Sequence, residues 1–243
     1  MVDTESARAF MVEAMSRISE EEREAIELEL AAKSRRFAAL CDPQALAEAG
    51  EAQLRWLLRS VFSTRRAAGV ILRDNGVSAL RGRIFDLLYG DAALAVRFQQ
   101  FCQTLAGAGS ATVGFDLASE LLHYALPGRY WLWTRWMWNP QNGSGALRLV
   151  TLDGYELQAG DLGETYLRVG QAVAFVSETA KAAGLQRADS GLFATTVYLC
   201  LVYVIYIYTT LRLRMTKEFN KVIPGLPELT RRILGIYRPE VYA

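Results

Sequence analysis

The chain has 243 residues, a formal net charge of +1, 51% hydrophobic residues and 22% charged residues. This composition excludes a disordered or fibrous chain, and it supplies no general electrostatic attraction to nucleic acid or to an anionic membrane. Three scattered cysteines, Cys41, Cys102 and Cys200, cannot build a disulfide framework; an odd number points to a reducing compartment, so a cytoplasmic protein is expected.

The N-terminal stretch carries Asp3, Glu5, Arg8 and Glu13 and reads as lacking an export signal. Ser19 with Glu22 three residues later is the pattern of a capping box. It opens a long helix in which Ile26, Leu30 and Phe37 face a core while Glu20, Glu21, Arg23 and Glu24 face water. Asp42 and Pro43 suit the N-cap and first turn of a short helix. Residues 51 to 73 read as one long helix stopped by Asp74-Asn75-Gly76, and two more follow at about 77–89 and 91–106. Gly107 to Ser110 reads as a loop, and 115–126 as a helix stopped by Pro127-Gly128.

The texture then changes. Residues 130–138, YWLWTRWMW, and 146–152, ALRLVTL, flank a turn-rich loop and suggest a β-hairpin, with a helix as the alternative for 130–138. Beyond it, Leu162, Tyr166, Val169, Val173 and Val176 recur at helical spacing. The expected fold is a mainly α, multi-helix globular domain with one β-hairpin at about 130–152. One domain over 1–243 is expected; a division, if any, falls at the hairpin, giving 1–128 and 129–243.

Between Asp189 and Arg212 lie 22 residues without a charge, long enough to cross a bilayer as one helix. Tyr198, Tyr203, Tyr206 and Tyr208 spread around that helix, and hydroxyls on several sides need acceptors that a protein interior supplies and lipid does not. The stretch 190–211 therefore reads first as a buried core helix. A membrane span, with Arg212, Arg214, Lys217 and Lys221 at the cytoplasmic surface, is the alternative.

The small net charge conceals blocks. Residues 1–30 hold nine acids and three bases, and residues 31–83 hold ten bases and four acids. On a single helix, Arg55, Arg59, Arg66 and Arg73 would fall in one sector with Phe62 among them, a stripe able to follow a phosphate backbone. Packing against the acids Glu20, Glu21, Glu24 and Glu27 is the plainer reading.

With His123 as the only histidine, sites needing two imidazoles are excluded, and the cysteine spacing excludes zinc ribbons and CxxC redox sites. No dinucleotide fingerprint, P-loop or nucleophile elbow is present, and no cofactor is predicted. Asp116, Glu120 and His123 share one helix face, and Glu120 to His123 has the Glu-x-x-His spacing of carboxylate metal bundles. That trio could hold a single iron or manganese ion or act as an acid/base pair, although a di-metal site wants a second such motif; the plainer reading has Asp116 capping the helix and His123 hydrogen-bonded at the core edge.

Four of the five tryptophans fall within eight residues. Arg129, Tyr130, Trp131, Trp133, Arg135, Trp136 and Trp138 suit an interface or a pocket for a flat molecule as well as they suit a core. The leading functional expectation is a non-catalytic helical interaction protein, an accessory subunit or assembly factor that buries this aromatic surface against a partner or a second copy. A nucleic-acid-binding protein, a membrane-anchored subunit and a carboxylate/His metal enzyme are the alternatives.

Overall fold

The computed structural model describes residues 3–107, 111–182, 184, 191–214 and 224–237. Twelve helices run through them. The first six are α1 (Thr4–Arg17), α2 (Glu20–Cys41), α3 (Pro43–Glu48), α4 (Glu51–Ser60), α5 (Ala68–Asn75) and α6 (Val77–Tyr89). The others are α7 (Leu94–Thr104), α8 (Ala111–Ala125), α9 (Ala146–Val150), α10 (Leu162–Ala182), α11 (Ala194–Arg214) and α12 (Leu226–Ile233).

Local chemistry explains most of the boundaries. Ser19 caps α2 by accepting from the Glu22 amide at 3.2 Å. Asp42 does the same for α3, which has Pro43 in its first turn. Gly76, at φ +72°, separates α5 from α6. Helix α1 has no counterpart among the expected elements, although Asp3 accepts from the amides of Glu5 and Ser6 and fixes its start. Helix α12 was likewise not foreseen.

Two expectations are corrected. The helix over 51–73 is broken. It stops at Ser60, and 61–67 is a run of turns in which Thr64 Oγ1 donates to the Leu58 carbonyl at 2.6 Å. Hydroxyl side chains compete with the helix for its own carbonyls, and a run with Ser60, Val61, Ser63 and Thr64 is poor helix material. The arginine stripe loses its premise with that helix.

The β-hairpin is also absent: no strand occurs among the described residues, and 146–150 is the short helix α9. What remains of a hairpin is one isolated antiparallel bridge between Asn139 and Ser144. Residues 130–134 form no regular secondary structure and lead into a turn at 135–137; their backbone groups find side chains instead of a neighbouring strand. Trp133 N–H donates to Ser119 Oγ (2.6 Å), Arg135 N–H donates to Asp116 Oδ1 (2.9 Å), and the Trp131 carbonyl accepts from the Tyr166 hydroxyl (2.9 Å).

Helix α8 lies at the centre, packed against α2, α6 and α7, and every residue from Phe115 to Ala125 is buried. An aromatic column ties its surroundings together. Trp133 stacks on Phe115 with centroids 4.3 Å apart, and Phe98 of α7 stacks on Tyr166 of α10 at 4.4 Å. Helices α7 and α10 approach closely at Gly163, where a Cβ would sit 1.9 Å from the Ala95 carbonyl oxygen, so no other residue fits.

The first half of α11 is the second buried centre. Residues 195–202 are all buried within the protein, and the Tyr198 hydroxyl donates to the Ala7 carbonyl of α1 at 3.1 Å. Among the described residues no helix is long and apolar enough to cross a membrane. Asp189, Lys217 and Lys221 lie outside the described residues, as do residues 108–110 of the expected loop.

If α8 side chains replace a partner strand, removing one must leave a buried donor orphaned. Ser119→Ala should cost about 2 kcal/mol, because the Trp133 amide then has no acceptor. Urea denaturation checks this.

Candidate functional site

Asp116, Ser119, Glu120 and His123 recur at i, i+3, i+4 and i+7 and form a polar stripe on the buried stretch Phe115–Ala125 of α8. A buried polar group without a partner costs free energy, so each member of the stripe should be committed. Asp116 takes both the amide of Arg135 and, through Oδ2, its guanidinium Nε at 2.8 Å. It lies in the second turn of α8 and caps nothing. Burial pushes its pKa up to about 6 against the pull of Arg135.

His123 turns away from the two carboxylates. Its Nδ1 is 2.9 Å from the Tyr130 carbonyl oxygen, which can only accept, so Nδ1 carries the proton. Nε2 is then left to accept from the Thr196 hydroxyl at 3.3 Å. Burial pushes its pKa down to about 4, which keeps the ring neutral. Both nitrogens are spent on holding the 130–135 segment and α11, and no metal-holding cluster exists among the described residues. Asp116, Glu120 and His123 are thus each held by residues from elsewhere in the chain.

Glu120 meets Lys33 of α2, Nζ to Oε2 at 2.8 Å. Lys33 is 2% exposed; it also donates to the Leu234 carbonyl at 3.0 Å and lies 4.1 Å from the centre of the Tyr124 ring. Burial raises the Glu120 pKa and lowers that of Lys33, and the mutual ion pair opposes both shifts. Lys33 was missed in the sequence, though its register was a signal. It follows Leu30 and precedes Phe37 on the same apolar stripe of α2, where a lysine must find a buried counter-charge.

Beside these two ion pairs opens a cavity of about 490 Å³. Its polar side is formed by Asp116 and Glu120 of α8, by Ser63, and by Thr134 and Arg135 of the 130–135 segment. Trp136 and Tyr203, whose rings lie 6.2 Å apart, line it too, with Ile207 of α11 and Leu229 and Ile233 of α12. Asn139, Asn142, Ser144 and the exposed Phe62 also line it.

The polar side is incompletely satisfied. Thr134 is 3% exposed, yet its hydroxyl is buried without a hydrogen-bond partner. The Ser63 hydroxyl is buried beside Asp116 but makes no hydrogen bond of good geometry. Glu120 gives Oε2 to Lys33. A volume of this size lined by a few polar groups among apolar side chains is what small-ligand sites have.

The aromatic ribbon is divided between core and cavity. Trp133 and Trp138 are buried in the core, and the Trp133 indole N–H donates to the Trp138 carbonyl at 2.9 Å. Arg135 and Trp136 line the cavity just described, whereas Arg129, Tyr130 and Trp131 line a smaller one of about 230 Å³ between Pro127 and α10. The ribbon therefore offers no continuous surface.

Of the arginine stripe, Arg55 pairs with Glu51 and Arg73 with Asp74, while Arg59, Arg66 and Phe62 are exposed. On α2, Glu22 and Glu29 bind Arg231 of α12. Comparison with protein-family models, with curated proteins and with solved structures finds no match to this chain.

Two outcomes follow. As pH falls, unfolded His123 takes up its proton near pH 6.5 and the folded ring near 4, so stability is lost between those values. The stability difference between wild type and His123→Gln should shrink by about 3 kcal/mol from pH 7 to pH 4, measured by urea denaturation. Thr134→Val, which removes an unpartnered buried hydroxyl without changing shape, should raise the stability of the ligand-free protein by about 1 kcal/mol.

Proposed function

We propose that this chain is a non-catalytic binding protein, and that the cavity between α8, residues 134–144, α11 and α12 takes a small ligand. The observation that carries this reading is the buried, unpartnered hydroxyl of Thr134, a residue that lines a 490 Å³ cavity together with apolar side chains. Native interiors satisfy more than nine in ten buried polar groups, so an orphan on a residue that lines a cavity marks a place where a partner is missing.

Binding is favoured over catalysis by what the charged groups are already doing. Both Asp116 oxygens are held by Arg135, and Glu120 is held by Lys33. A general acid or base must be free to exchange its proton with substrate, and His123, whose ordinary pKa would suit that task, is spent elsewhere. In this reading the capturing surface is the cavity rather than the aromatic ribbon that the sequence pointed to.

A thermal-shift screen of a metabolite and fragment library on the full chain tests the reading. Hits should raise Tm in the wild type and lose that effect in Leu229→Trp, which fills the cavity from α12. Absence of any stabilising compound, or hits indifferent to Leu229→Trp, would overturn it.

A further inference from the structure

Three aromatic residues from separate parts of the chain line the 490 Å³ cavity: Phe62 in the turns after α4, Trp136 in the turn at 135–137, and Tyr203 of α11. The rings of Trp136 and Tyr203 lie 6.2 Å apart, and Phe62 is 58% exposed and takes no part in the core. The face of an aromatic ring carries the negative part of its quadrupole, so a cation within about 6 Å of the ring centre is drawn to it. Aromatic residues gathered around one space therefore favour a positive occupant over a neutral one of the same shape.

The charged residues have the same preference. Asp116, Glu120 and Arg135 line the cavity, two acids against one base among the described residues. Asp116 and Arg135 match one another at 2.8 Å, but the Arg135 side chain is 38% exposed against 6% for Asp116, so water screens the guanidinium more than the carboxylate. Glu120 is matched by Lys33, which does not line the cavity, so this pair sets its negative member toward that space and its positive member behind. Arg65, whose charge also bears on Lys33, does not line it either.

Building on the binding role above, we infer that the cavity takes an organic cation, a quaternary or tertiary ammonium held among Phe62, Trp136 and Tyr203 beside the carboxylate of Glu120. Such a cation spreads its charge over alkyl groups, so it gives up less hydration than a compact ion on entering an enclosed space. It is recognised by aromatic faces and a nearby negative charge, and it asks for no hydrogen-bond acceptor in the site.

Three probes of nearly one shape separate charge from fit: choline, neohexyl alcohol, in which carbon replaces the choline nitrogen, and the anion of tert-butylacetic acid. Isothermal titration of the full chain should show choline binding about tenfold tighter than the alcohol, the worth of a desolvated cation among aromatic rings, and the anion binding more weakly than either. Phe62→Ala removes an exposed ring and leaves the core intact, and in it the preference for choline over the alcohol should narrow by about threefold. Tyr203→Leu, which keeps an apolar lining without the ring, should narrow it as well, and Leu229→Trp should abolish binding of both.

Equal or tighter binding of the alcohol or the anion would overturn the cationic ligand, while leaving the cavity as a binding site. A preference for choline that is unchanged in both Phe62→Ala and Tyr203→Leu would overturn its placement among the aromatic residues. If none of the three binds, the inference falls; stabilising hits from the library screen that depend on Leu229 would then show that the broader reading survives it.

Discussion

A segment without regular structure inside a helical protein has to satisfy its buried backbone groups without a neighbouring strand, and here the side chains of one helix do so. Ser119 and Asp116 of α8 accept the amides of Trp133 and Arg135, and His123 donates to the Tyr130 carbonyl. Burial of 130–135 depends on this clasp, since an unpaired buried amide costs as much as a lost hydrogen bond. The aromatic column from Tyr166 through Phe98, Trp133 and Phe115 depends on it in turn, because Trp133 is placed by the segment.

The remaining member of the stripe reaches in the other direction. Through Glu120, α8 holds Lys33 of α2, and Lys33 holds the Leu234 carbonyl just past α12. A buried ion pair of this kind contributes little net stability, because desolvation offsets most of the attraction. Its effect is positional: it fixes three elements at one point, and that point is the polar side of the cavity. Arg231 adds a more exposed tie between α12 and α2 through Glu22 and Glu29.

Much of this was legible in the sequence, and the failures have physical causes. Helix starts marked by Ser19 and Asp42, and the stop at Gly76, come from side-chain and backbone chemistry within a few residues, which a sequence displays directly. The one-face grouping of Asp116, Glu120 and His123 was also correct as geometry. Its chemistry was not, because the partners Arg135, Lys33, Tyr130 and Thr196 come from other parts of the chain. The hairpin was misread for a related reason: alternation and aromatic content report extended backbone but not what pairs with it. Thr134 could not have been singled out, since an unpartnered hydroxyl is a property of the folded surroundings.

That orphan hydroxyl sits oddly in a region otherwise so fully satisfied. Asp116, Ser119 and His123 have every demanding group paired within a few ångströms, and the same segment that supplies their partners leaves Thr134 with none. A valine would fill the same volume at no hydrogen-bonding cost. Sites that bind are built from groups left unsatisfied in the free protein, because a group already paired has nothing to offer a ligand, and such sites are therefore locally less stable than the alternatives. The clasp of α8 makes this arrangement sustainable: by fixing residues 130–135 from one side, it holds Thr134 in place without requiring anything of the hydroxyl itself, which is left without a partner.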